Sequence, residues 1–168
     1  MSQHIRDALD KLDAAIAADP QKARAKHAGA TAALAGGLKF TVTGPHGEKL
    51  ETDMAKGVGG EASGPSPGWA LRAALASCTG TVIALRAAKL GLVLDRLEVN
   101  VDSDGDLRGM IGSDDTVSAA LTGLRMRVAI DAKNASRGEL EELVRWADAH
   151  SPVACTLRAA MPVSVSVG

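Results

Sequence analysis

Two cysteines and four histidines are the most reactive side chains in this chain of 168 residues. Cys78 lies in Ala76-Ser77-Cys78-Thr79-Gly80, three turns inside a long apolar stretch that opens at Ser66-Pro67. A thiolate there could attack an oxidant and become a sulfenic acid. Taken alone, a cysteine among Ala and Leu is more often a small core hydrophobe than a nucleophile. It also lies too deep in the predicted helix for the N-terminal dipole to act on it. A reactive Cys78 would need a nearby cation and some access. Cys155 sits in Ser151-Pro152-Val153-Ala154-Cys155-Thr156-Leu157, at the start of a predicted strand, with nothing local to activate it. Two cysteines are too few for a secreted disulfide scaffold; they read as free or redox-active thiols of a reducing compartment, so the expected location is the cytoplasm.

Other arrangements point to no chemistry. His4, His27, His46 and His150 are scattered and expected at the surface, and no Cys/His spacing suits zinc. Asp102, Asp104 and Asp106 open like a calcium loop, but its sixth and twelfth places, which require Gly and Glu, hold Leu107 and Ser113. A polar hairpin turn is the expectation. Gly57-Val58-Gly59-Gly60 lacks the strand–turn–helix setting of a phosphate loop and reads as a flexible connection. No metal or cofactor is expected.

The bulk charge excludes further classes. With 19 basic and 20 acidic residues, nothing draws the chain to nucleic acid or to an anionic membrane surface. No apolar run reads as the roughly 18–20 residues of a membrane span. The segment from Met1 to Asp19 has no secretory h-region. Aromatic residues are only 2%, so Ala, Val, Leu, Ile and Met must fill the core, and the length suits one domain.

The elements that must position the thiols follow from periodicity. Ile5, Leu9, Leu12 and Ile16 share one face of a helix ending before Asp19-Pro20. Residues 26–34 are Ala-rich and fit helix or strand. Leu38–Thr43 and Lys49–Asp53 alternate as strands about Gly44-Pro45-His46-Gly47, and a Gly/Pro-rich loop runs to Pro67. Ser66 caps a helix with Pro67 at its first position and Gly91 past its end. That helix is apolar on nearly every side and is expected to be buried on most of them. Residues 97–101 and 124–130 alternate as strands. Asn134 or Ser136 caps an amphipathic helix that Ser151-Pro152 ends, and Ala159–Val167 alternates as a closing strand. Strands, buried helix, strands, helix and strand make an α+β protein rather than a parallel α/β sheet.

Two landmarks carry a resemblance. Gly64-Pro65-Ser66-Pro67-Gly68-Trp69 opens the long helix, and Cys78 follows Pro67 by eleven residues. The second helix ends in Ser151-Pro152-Val153, followed by a short polar step and Leu157. Together, in this element order, they resemble the OsmC/Ohr family of small thiol-based hydroperoxide-reducing proteins, from about Gly37 to Val167. The resemblance implies an OsmC-like domain over residues 21–168, with residues 1–20 as an appended amphipathic helix. It implies an intertwined homodimer whose antiparallel sheets wrap two long buried central helices. It implies Cys78 as peroxidatic thiol, a hydroperoxide substrate and a thiol reductant. In the family a resolving Cys precedes the Pro-Val, a Glu follows the helix-opening Pro, and an Arg from the N-terminal strands activates the thiolate. Here those places hold Ser151 and Gly68; Lys39 and Arg72 are the basic candidates, and Cys155 is the candidate resolving thiol, four residues late. The alternative implied by these departures is a non-catalytic dimer that binds a small apolar ligand at the subunit interface.

Overall fold

The computed structural model describes Ser2–Val167. The chain forms two compact units: residues 14–72, and residues from Ala73 onward joined by the chain start through Asp13.

In the first unit, β1 (Thr31–Gly36), β2 (Lys39–Thr43) and β3 (Lys49–Thr52) form an antiparallel sheet in sequential order. The ambiguous Ala-rich stretch resolves as strand from Thr31. Leu34 lies opposite Phe40, and Val42 opposite both Ala32 and Leu50, which gathers the apolar residues on one face. Gly36 and Gly37 turn β1 into β2 with φ of +136° and +55°, values that favour glycine. The loop after β3 is pinned by Asp53. Its buried carboxylate accepts the backbone N–H groups of Met54, Glu61 and Ser63 and the Ser63 hydroxyl. The Ser63 N–H leads in holding this carboxyl below the usual carboxylate range, against the opposing effect of burial.

The long helix α2 spans Pro67–Leu90. Ser66 Oγ accepts the Trp69 N–H at 3.2 Å, and Gly91, at φ +77°, ends the helix while Leu92 N–H bonds Ala87 O at 2.9 Å. Within one chain its burial is one-sided. Leu75, Thr79, Ile83 and Ala87, at steps of four, are buried, whereas Leu71, Leu85 and Trp69 are exposed. Ile83 and Ala87 join a core with Ile130, Leu140, Leu143 and Ala147, which covers only that stripe. The expectation that no run reaches membrane-spanning length needs correcting: by length and composition α2 is long and apolar enough to cross a membrane. Residue by residue, its scattered Ser, Thr, Gly and Arg read as interruptions, yet over a window they leave the mean apolar. Its buried stripe packs as the core helix of a folded domain does.

The first helix, α1 (Ser2–Ala18), is held to the far end of α2. Arg6 Nε donates to Ala88 O at 2.9 Å, and Lys89 pairs with Asp13. Strands β4 (Leu94–Asp104) and β5 (Thr122–Ala132) are longer than the alternation suggests and pair antiparallel, with Leu97 opposite Ile130 and Val99 opposite Val128. On the other face Arg125 bridges Asp102 and Asp104, and Arg127 pairs with Asp102 at 2.6 Å. The segment expected to be a plain hairpin turn holds a short helix, α3 (Leu107–Ile111), capped by Asp106 and stopped by Gly112 at φ +68°.

Helix α4 (Arg137–His150) starts at a capping box in which Ser136 and Glu139 satisfy each other's backbone N–H. Asn134, the other candidate cap, instead bridges Gly91 O and Val93 N–H. The chain after α4 departs most from expectation. Pro152 does not lead into a strand but opens a further helix, α5 (Pro152–Arg158), with Ser151 as its N-cap. Proline lacks only an N–H that a first-turn residue leaves unbonded anyway, so it starts a helix as readily as it stops one. Residues 161–167 form no regular element, and Val163, Val165 and Val167 are 85%, 88% and 98% exposed.

Candidate functional site

The two landmarks of the sequence meet in space. The four-residue stripe of α2 turns Thr79 fully inward and leaves its neighbour Cys78 half-buried at the edge. Ser151, fully buried, is both the last-turn boundary of α4 and the N-cap of α5. Its hydroxyl donates to Cys78 Sγ at 3.4 Å. The same oxygen accepts the Thr79 hydroxyl at 3.1 Å and the Ala154 N–H at 3.5 Å. A thiol, two hydroxyls and a helix N-terminal amide thus form one connected chain of polar groups in an otherwise apolar setting.

Cys155 lies on α5, not on a strand. Its N–H bonds Ser151 O at 2.9 Å, and its Sγ donates to Ala149 O at 3.3 Å. Four helical residues advance only ~6 Å, where an extended chain would have carried the thiol more than twice as far. Cys155 is exposed, and both cysteines are free. Gly68 stands in the first turn of α2 and offers no carboxylate. Lys39 pairs with Glu51 at 3.4 Å across β2 and β3, and Arg72 is half-buried on α2. His150 is exposed, as expected, and stacks on Trp146 with ring centroids 4.0 Å apart, while Arg86 lies over the same indole at 4.5 Å.

Beside these groups, a trough of about 490 Å³ runs between β5 and α4, floored by Leu124, Met126, Val128, Ile130, Leu140 and Val144. An adjoining hollow of about 220 Å³ shares Leu124 and Met126 and reaches Leu75, Ala154 and Leu157. Leu75 precedes Cys78 by one helical turn, and Ala154 follows Ser151 by one. The ion pair of Arg158 with Asp148, at 2.7 Å, borders both.

The sequence does not single out Thr79. Its position on the Leu75–Ile83 stripe could have placed it in the core, but nothing local foretells a partner 72 residues away.

Known proteins bear on this arrangement. A family model described as OsmC-like protein matches residues 60–166. No curated protein matches the chain in sequence. Among solved structures, an OsmC-like protein from Mycoplasma pneumoniae is similar at TM-score 0.67 and 22% identity, covering 80% of this chain and 89% of its own. The organic hydroperoxide resistance protein OhrB of Bacillus subtilis is similar at TM-score 0.53 and 23% identity, covering 79% and 91%. An organic hydroperoxide resistance protein OsmC from Legionella pneumophila is similar at 0.55 and 21%, covering 80% and 91%.

Proposed function

The chain belongs to the OsmC-like protein family, and on that footing we propose that it is a thiol-dependent reductase of organic hydroperoxides with Cys78 as its peroxidatic residue. The observation that carries this reading is the 3.4 Å hydrogen bond between Cys78 Sγ and Ser151, the residue at the place where family members hold a resolving thiol. The Cys78 thiolate attacks one peroxide oxygen; the O–O bond breaks, the sulfur becomes a sulfenic acid, and the departing alkoxide takes a proton to leave as alcohol. Ser151 cannot form a disulfide. An external thiol therefore attacks the sulfenic sulfur, releasing water and leaving a mixed disulfide that a second thiol resolves. Cys155, one helical turn beyond Ser151, is the internal alternative for that step.

The active form in this reading is a homodimer in the cytoplasm. The exposed stripe of α2, with Leu71 and Leu85 alongside small Ala74, Ser77 and Thr81, suits close packing against a second copy. Light scattering at micromolar concentration reads a dimer; a stable monomer contradicts this part of the proposal. The activity test is consumption of cumene hydroperoxide with dithiothreitol as reductant. The wild type turns over and Cys78→Ser does not. Equal rates for the two proteins, or none for the wild type, overturn the enzyme reading.

A second reading has its own support in the trough between β5 and α4, apolar in its floor and rimmed by Arg137, Glu141, Arg145, Asp148 and Arg158. There the protein binds a small apolar ligand and Cys78 is bystander. Saturable binding of an environment-sensitive apolar dye, without peroxide consumption, selects it.

A further inference from the structure

Resting on Cys78 as the reactive thiol, we propose that Thr79 and Ser151 form a hydroxyl relay that holds the sulfur as an acceptor, with Ser151 its direct donor and Thr79 a positioning residue acting through Ser151.

A serine hydroxyl has one proton to give and two acceptor sites. One acceptor site of Ser151 Oγ faces the Ala154 N–H, which can only donate. The other takes the Thr79 hydroxyl. Both acceptor sites are then filled, and the one proton left points at Cys78 Sγ. Ser151 and Thr79 are fully buried, so water does not compete for either hydroxyl. Ser151 is also fixed at both ends, because it closes α4 and caps α5. Donated hydrogen bonds favour the charged form of their acceptor. The relay does by hydroxyls part of what a neighbouring cation does elsewhere.

Orientation gives the device its sense. A thiolate can only accept, which fixes every bond from Thr79 through Ser151 to sulfur. A neutral thiol is itself a weak donor and leaves the chain free to reverse. Removing the Thr79 hydroxyl leaves Ser151 in place but takes away the donated bond that polarises its O–H, so the bond from Ser151 to the sulfur weakens.

The test is the pH dependence of Cys78 alkylation by iodoacetamide, in a Cys155→Ser background so that one thiol is read. Ser151→Ala slows alkylation at neutral pH on the order of 10-fold, and Thr79→Val roughly 3-fold to 5-fold, both with profiles displaced to higher pH. Thr79→Ser, which keeps the hydroxyl and loses a methyl, restores the rate to within about 2-fold of the parent. If the valine does not fit, as thermal melts would reveal, Thr79→Ala carries the same comparison. A Thr79→Val profile that superposes on the parent overturns the relay. So does a Thr79→Ser variant as slow as the valine, which would make Thr79 a packing residue. The readout needs no hydroperoxide. A protein that consumes none but shows the displaced profiles keeps the relay and loses the enzyme reading, and unchanged profiles in an active enzyme do the reverse.

Discussion

Replacing Ser151 by cysteine should convert the site to a two-thiol pair. The Ser151 oxygen already lies 3.4 Å from Cys78 Sγ. A Cβ–S bond is longer than a Cβ–O bond, so the new sulfur starts nearer still, and closure to a disulfide of about 2.05 Å asks for a small rotation of each side chain. The bond would close a loop of 73 residues. Chain entropy for that length gives on the order of 4 kcal/mol of stabilisation of the oxidised over the reduced form. For a chain of this size each kcal/mol moves the melting temperature about 2–4 °C, so the oxidised form should melt roughly 10 °C higher. The assay uses Ser151→Cys in a Cys155→Ser background. One equivalent of cumene hydroperoxide should remove both titratable thiols and two hydrogens of intact mass, and dithiothreitol should reverse both changes and the gain in melting temperature. Two thiols still titratable after peroxide, or a disulfide with no thermal gain, would refute the geometry from which the function was argued.

Three further outcomes are expected. Asp53, held below the usual carboxylate range by the Ser63 N–H and its other donors, contributes stability that is complete above the unfolded carboxylate value of about 4 and is lost as pH falls through the lower folded value. Asp53→Asn should melt lower than the wild type at neutral pH, and the gap should narrow on acidification; parallel curves would refute the assignment. Ser136→Ala breaks the capping box of α4 and should cost about 1 kcal/mol in urea titrations. Arg6→Ala removes the part-buried bond to Ala88 O and should cost about 1–2 kcal/mol, whereas Asp13→Asn, in an exposed pair with Lys89, should cost less than about 1 kcal/mol.

Much of the fold is legible because local rules govern it. Alternation marks β2 and β5, Ser66-Pro67 and Gly91 bound α2, and Ser136 is among the candidate caps of α4. The largest departure comes where one pair of residues serves two ends. Ser151-Pro152 is the same pair as Ser66-Pro67, a cap with a first-turn proline, yet at the close of an amphipathic helix it reads only as a stop. The helix α3 is hidden in a similar way, since Asp106 and Gly112 are a cap and a left-handed stop around an apolar Leu-Arg-Gly-Met-Ile. The site is legible in part. Cys78 and position 151 follow from the family resemblance, while the roles of Thr79 and Asp53 depend on contacts that sequence spacing does not encode. Asp53 in particular looks like any loop carboxylate until four donors converge on it.

The valine-rich tail bears on the life of the newly made chain. Val163, Ser164, Val165, Ser166 and Val167 carry no charge and no proline, and their valines stand almost fully in water. Such a stretch has the composition of a cross-β segment, and β1 is an edge strand of its sheet in the same molecule. Left uncovered, such a stretch is open to strand pairing between molecules, a hazard that rises with protein concentration. Solubility should thus depend on residues 161–167: Val165→Lys places a gatekeeper charge among the exposed valines and should raise the yield of soluble protein.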